Sequence, residues 1–180
     1  MSMGTAEGAR RLRGRRAQAE GDWFEQMIEN SAMEYESRGL AVIDKTPEPM
    51  KVLRPVGGGQ FLAVFKKMAQ PDFKGMLCDG STVLFDAKHT DTDKLQQHAV
   101  TSEQARCFER YKAMGAHCFI VANIGFTDYY RVPWDTFKDM KKLFGHLFMT
   151  REELEPYRIQ YSGGFLRFLD GLDLREREET

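Results

Sequence analysis

The 180-residue sequence holds only three cysteines, Cys78, Cys107 and Cys118, and no two of them form a CxxC pair. An odd, scattered set of thiols excludes a disulfide framework or a zinc knuckle and leaves free, partly buried cysteines as the expectation. No apolar run approaches the roughly 20 residues that a membrane-spanning helix needs, so no membrane association is expected. The arginines near the start are not followed by the apolar stretch of a secretory signal, which points to a cytoplasmic protein. A large excess of one charge is missing too. The formal net charge is −1, and that balance by itself names no partner.

What charge there is lies unevenly. Arg10, Arg11, Arg13, Arg15 and Arg16 crowd the start, whereas Asp170, Asp173, Glu176, Glu178 and Glu179 dominate the end. Residues 1–18 are expected to form a basic, disordered arm able to reach phosphates, with Arg15 and Arg16 as DNA contacts. Residues 166–180 are expected to form an acidic, solvated tail. The chain length suits a single domain with one hydrophobic core, placed at residues 19–165.

"GDWFEQMIENSAMEYESRG" predicts a helix ending at Gly39, with Phe24, Ile28, Ser31 and Tyr35 on one face. "LAVIDKT" predicts a short strand. "MKVLRPV", "GGGQ" and "FLAVFKKMA" predict two extended arms around a glycine tip, a hairpin over about residues 52–69. Arg54, Lys66 and Lys67 make its arms basic, as in a loose surface hairpin or a projecting finger that contacts DNA. "DFKGML" and "STVLFDAKH" flank Asp79-Gly80, a strong hairpin-turn dipeptide. Thr101 to Met114 predicts a helix with Thr101 as N-cap and Gln104 three residues on. "AHCFIVANI" reads as a central strand covered on both faces. "DYYRVPW" gives a further strand, and helix starts are predicted at Asp135-Thr136 and at Thr150, where Thr150 and Glu153 have capping-box spacing. This order predicts an α/β domain with a mixed central sheet flanked by helices.

Within it, Asp86 and Lys88 stand two apart on one strand, so their side chains leave the same face, roughly 6.5 to 7 Å apart at Cα. The Asp79-Gly80 turn brings Asp72 alongside Asp86. Two aspartates so close repel one another unless a proton or cation lies between them. Mg²⁺ suits such hard oxygen donors and keeps several waters. It would activate a water and stabilise phosphoryl charge, with Lys88 orienting the water or acting as a point charge. A solvated cross-strand charge cluster is the competing reading. Asp79 is assigned to the turn alone.

"PDFKGML…VLFDAKHT" resembles the motif of the PD-(D/E)xK nuclease superfamily. Around it, "GDWFEQMIENSAMEYESRGLAVIDKTPEPMKVL", "FKKMAQPDFKG", "TSEQARCFERYKAMGAHCFIVANI" and "TREELEPYRIQY" resemble, in collinear order, the RecU-type Holliday junction resolvases of Gram-positive bacteria and their phages. The resemblance spans about residues 20 to 162. It implies a restriction-endonuclease-like core, Asp72 and Asp86 as metal ligands and Lys88 as the catalytic lysine. Glu25 matches the family's helix glutamate, a metal ligand directly or through water, and Gln104 its helix glutamine, which also fits the cap at Thr101. Lys45, Lys51 and Lys74 join the expected DNA contacts. The chain departs from the family in Asp86, where Glu is usual, in Glu103, where the family has histidine, and in a shorter finger with a triple glycine.

The function so implied is a Mg²⁺-dependent endonuclease, with Mn²⁺ as a substitute, that resolves four-way DNA junctions as a homodimer with two opposed sites. A recombinase or a branch-migration helicase would work beside it, in a bacterial cell or a phage-infected host. The competing functions are a nuclease with another DNA target, as in restriction or repair, and a non-catalytic recombination accessory protein.

Overall fold

The computed structural model describes residues 3–47, 50–65 and 70–172. The chain runs α1 (Met3–Ser37), β1 (Ala41–Lys45), β2 (Met50–Gly57), β3 (Gln60–Phe65), β4 (Phe73–Leu77), β5 (Thr82–Thr90), β6 (Lys94–Gln96) and α2 (Ser102–Lys112). It continues as β7 (His117–Ile124), β8 (Asp128–Pro133), α3 (Trp134–Lys138), α4 (Met140–Phe144), β9 (Phe148–Thr150), α5 (Arg151–Leu154), β10 (Tyr161–Ser162) and β11 (Phe165–Leu166). The central sheet has the order β1-β4-β5-β7-β8. Only β5 and β7 pair in parallel, so the sheet is mixed, as expected from the sequence.

Each sheet face buries one apolar layer. Phe24, Ile28 and Tyr35 of α1 cover Phe73, Phe85, Ala87 and Phe119. Phe108 of α2, with Trp134 and Phe137 of α3, covers Leu84, Ile120 and Ala122 on the other face. β7 is buried along most of its length because both layers meet there. Phe73, Phe85 and Phe119 stack across three adjacent strands at ring separations of 5.0 Å. That ladder fixes the register, since a slip of one residue would turn each ring to the opposite face. Fixing Phe73 opposite Phe85 sets Asp72 beside Asp86.

Local signals read from the sequence hold at several points. Gly39 follows α1 with φ of 68°, and both capping boxes, Thr101/Gln104 and Thr150/Glu153, form. Asp79 serves the turn: its Oδ1 accepts from the backbone N–H and the hydroxyl of Ser81 at 2.8 and 2.6 Å. The predicted finger is a separate two-stranded hairpin of β2 and β3, with every β2 residue exposed. Helix α3 starts at Trp134, one residue before the predicted start.

Both ends of the chain depart from expectation. Residues 3–18, expected as a disordered arm, are the N-terminal half of α1. Ala, Arg, Gln and Glu are good helix formers, and Arg16 pairs with Glu20 one turn on at 2.6 Å. The acidic tail begins later than residue 166, because Leu166, Phe168 and Leu169 are buried against α1. Two α1 side chains hold this segment. Ser31 Oγ accepts from Leu166 N–H at 2.9 Å, and Tyr35 Oη accepts from Leu169 N–H at 3.0 Å. Asp173 and the glutamates beyond it lie outside the described residues. No described helix is long and apolar enough to cross a membrane.

Candidate active site

Alternation along β5 turns Phe85 and Ala87 toward α1 and Asp86 and Lys88 toward the α2 side of the sheet. Asp72 precedes β4 and lies directly across from Asp86. The two aspartates are laced together through backbone amides. Asp72 N–H donates to Asp86 Oδ1 at 3.1 Å, and Ala87 N–H donates to Asp72 Oδ2 at 3.0 Å. Thr46 N–H, just past β1, donates to the Asp72 carbonyl at 2.7 Å. Each carboxylate is therefore held in a fixed orientation by chain elements that the sheet register already positions.

Lys88 completes the cluster. Its Nζ lies 2.5 Å from Asp86 Oδ2 and 3.7 Å from Asp72 Oδ2. Asp86 Oδ2 is fully buried and receives charge compensation from the ammonium without a well-directed hydrogen bond. Burial, and then the neighbouring Asp86 charge, push the Asp72 carboxyl up to about 7, against the opposing pull of Lys88. Burial works to lower the Lys88 pKa, but the charges of Asp86 and Asp72 outweigh it, so the ammonium stays protonated above the ordinary lysine range.

Gln104 makes two hydrogen bonds that join the start of α2 to Asp86. Its Oε1 accepts from Thr101 N–H at 3.0 Å, closing the cap of α2, while its Nε2 donates to Asp86 Oδ1 at 3.0 Å. The cap thus aims the amide at the carboxylate. Gln104 is itself buried, so neither group is satisfied by bulk water.

Glu25 is not brought together with the two aspartates as a third ligand. Its carboxylate lies 2.8 Å from Lys45 Nζ, which also meets Glu29 at 3.2 Å. The reason is topological: α1 covers the Phe85/Ala87 face, so Glu25 approaches from the opposite side of the sheet, although its charge still reaches Lys88. Among the described residues, no three His, Cys, Asp or Glu side chains are grouped closely enough to hold a metal ion. Asp72 and Asp86 nonetheless fit a divalent cation of the Mg²⁺ kind. They present hard oxygens, one of them buried without a hydrogen bond, and such ions use one or two carboxylates with water in the remaining positions.

The expected DNA contacts are spread over several elements. Arg15 and Arg16 lie on the exposed half of α1, and Lys51 and Arg54 on exposed β2. Lys74 is exposed on β4 beside the acidic pair, and Lys45 is tied up with Glu25 and Glu29. Lys66 and Lys67 lie outside the described residues.

Sequence reasoning missed two polar features near this centre. The Thr46 hydroxyl is buried and has no partner among the described residues. His89, next to Lys88, bonds Asn123 Oδ1 through Nδ1 at 2.6 Å and approaches Glu20 at 3.6 Å, linking the end of β5 to β7 and α1. Alternation along β5 would have turned His89 inward, but nothing in the sequence names its partners. The cysteines are free, and burial raises the Cys118 thiol to about 12, which leaves it inert at neutral pH.

Against known proteins, a family model described as RecU, Recombination protein U, matches residues 19–174. No curated protein matches the sequence. Among solved structures, Hjc of Archaeoglobus fulgidus, a Holliday junction resolvase from an archaeal hyperthermophile, is similar at 11% identity and a TM-score of 0.46, over 76% of this chain and 93% of that chain.

Proposed function

Because the chain belongs to the RecU family of recombination proteins, we propose that it is a Mg²⁺-dependent endodeoxyribonuclease that resolves four-way DNA junctions. The observation that carries this reading is the cluster of buried Asp72 and Asp86 with half-buried Lys88, fixed by Gln104. A solvated surface cluster needs no hydrogen bond to each carboxylate, and burying two unneutralised aspartates is costly.

Asp72 and Asp86 would hold the cation, and when bound it would lower the pKa of a water and offset charge on a phosphoryl oxygen. The chain's own residues supply the rest. Backbone N–H groups of Asp72 and Ala87 fix one oxygen of each aspartate, and Gln104 fixes Asp86 a second time. Lys88 places a full positive charge where negative charge grows during phosphodiester cleavage, already oriented by the two carboxylates. Glu25 acts at one remove, through its charge on Lys88.

A homodimer with two such sites would suit the near two-fold symmetry of a four-way junction and deliver paired nicks. The exposed β2–β3 hairpin, with Lys51 and Arg54, is the element available to enter the junction. The test compares cleavage of synthetic junction, flap and linear duplex in Mg²⁺ and in Mn²⁺. Preferential, paired cutting of the junction supports the reading, and equal cutting of all three contradicts its substrate assignment.

A further inference from the structure

Helix α2 carries a second chemical stripe that the catalytic cluster does not use. Glu103, Arg106, Cys107, Arg110 and Tyr111 follow one another at spacings of three and one, which places them along one side of the helix. Together with Gln70 they line a cavity of about 400 Å³. Two of its lining residues are chain neighbours of the acidic centre: Gln70 stands two residues before Asp72, and Glu103 adjoins Gln104, the residue bonded to Asp86.

Two guanidinium groups dominate its lining. Arg106 has an exposed side chain and a loose contact with Glu103 at 3.7 Å. Arg110 is exposed and makes no ion pair among the described residues. Cys107 forms part of the floor; burial raises its thiol, while the charges of Arg110 and Lys74 pull against that rise, so both cations bear on the cavity. Arginine presents paired N–H donors that match a phosphate, and its side chain is always charged. Arg106 and Arg110 are one turn apart, about 6 Å along the axis, a spacing suited to successive phosphates of one strand. Among the described residues, the lining offers an apolar ligand only Tyr111 and Cys107.

We propose that this cavity seats the backbone phosphates of the DNA strand beside the cleavage site. Arg106 and Arg110 are the phosphate ligands, and Lys74 is the outer cation. The assignment rests on the nuclease reading above. Glu103 adds a counterweight. Its carboxylate accepts from the Ser102 hydroxyl at 3.1 Å and stands next to Arg106, so it competes with phosphate for that guanidinium. Affinity at this seat is set by the balance of two arginines against one glutamate.

The test is the salt dependence of DNA binding by the full chain in EDTA, read by fluorescence anisotropy with a labelled junction and a labelled duplex. Each lost phosphate contact lowers the slope of log K against log salt by about 0.9, so R106Q/R110Q should lose about two in slope and bind at least about tenfold more weakly. E103Q should shift the other way and bind more tightly. Unchanged slope and affinity in R106Q/R110Q, with its circular dichroism intact, overturn the seat. Titration with inorganic phosphate alone covers a free-anion site: phosphate heat lost in the double variant while its DNA slope stays unchanged overturns the DNA assignment. Because cleavage is not the readout, a chain that binds with these slopes but cuts no junction contradicts the catalytic reading and supports the seat.

Discussion

Gln104 in the first turn of α2 donates to Asp86 in the middle of β5 at 3.0 Å, while its other amide atom closes the cap of its own helix. The start of α2 and the middle of β5 are locked through one side chain. Removing a group that orients a metal-ligating carboxylate costs about 10- to 100-fold in metal affinity or activity. Gln104→Ala should show a loss of that size. Thr101→Ala removes the other half of the cap, should cost about 1 kcal/mol of stability, and should leave most of the activity. Equal activity losses in the two variants would mean that Gln104 acts through the helix alone.

The acidic pair makes stability depend on pH. Asp72 titrates near 7 in the folded chain and near 3.8 when unfolded. A carboxyl with a raised folded pKa favours the fold while protonated, so its contribution is complete below about pH 4 and lost as pH rises to about 7. The steepest slope is about 1.4 kcal/mol per pH unit. Urea unfolding without metal should show stability falling across this window in the wild type and a flatter profile in Asp72→Asn. A wild-type profile rising through the window would contradict the assignment.

Metal should reverse that penalty. At pH 8, Mg²⁺ at about 10 to 100 times its Kd should stabilise the wild type by about 1.4 to 2.7 kcal/mol. Asp86→Asn, which removes the charge of a proposed ligand, should show little or none of this gain. Thermal melts with and without Mg²⁺ read it directly, and an equal gain in both proteins would place the ion elsewhere.

Gly75 ties β4 to the edge strand. A Cβ built there would sit 2.1 Å from the Val42 carbonyl oxygen and 2.8 Å from Ile43 Cα, both backbone atoms of β1. Gly75→Ala should therefore force the strands apart and cost more than about 2 kcal/mol in urea unfolding. Because Thr46, just past β1, holds the Asp72 carbonyl, junction cleavage should fall as well. A change within about 0.5 kcal/mol would show that β1 yields freely.

How much of this was legible in sequence depended on how local each signal was. Asp72, Asp86 and Lys88 could be brought together on paper because strand alternation, one Asp-Gly turn and a 14-residue separation set their geometry. Gln104 could be read as a cap or as a catalytic group, and only the packing of α2 on the sheet reveals that the capping side chain also donates to Asp86. A ligand role for Glu25 was implied only by the family resemblance, and which face α1 covers is decided by tertiary packing of Phe24 and Ile28. Likewise Leu166 and Leu169 carry no periodicity that a sequence window detects, and their partners Ser31 and Tyr35 lie more than 130 residues away.

The central claim is that Asp72, Asp86 and Lys88 form the hydrolytic centre of a junction nuclease. Its most direct test is Mg²⁺-dependent cleavage of a synthetic four-way junction by the wild type, Lys88→Ala and Asp86→Asn. The wild type should cut the junction, and both variants should lose about 100-fold or more in rate while still binding it. Undiminished cleavage by either variant would contradict the account.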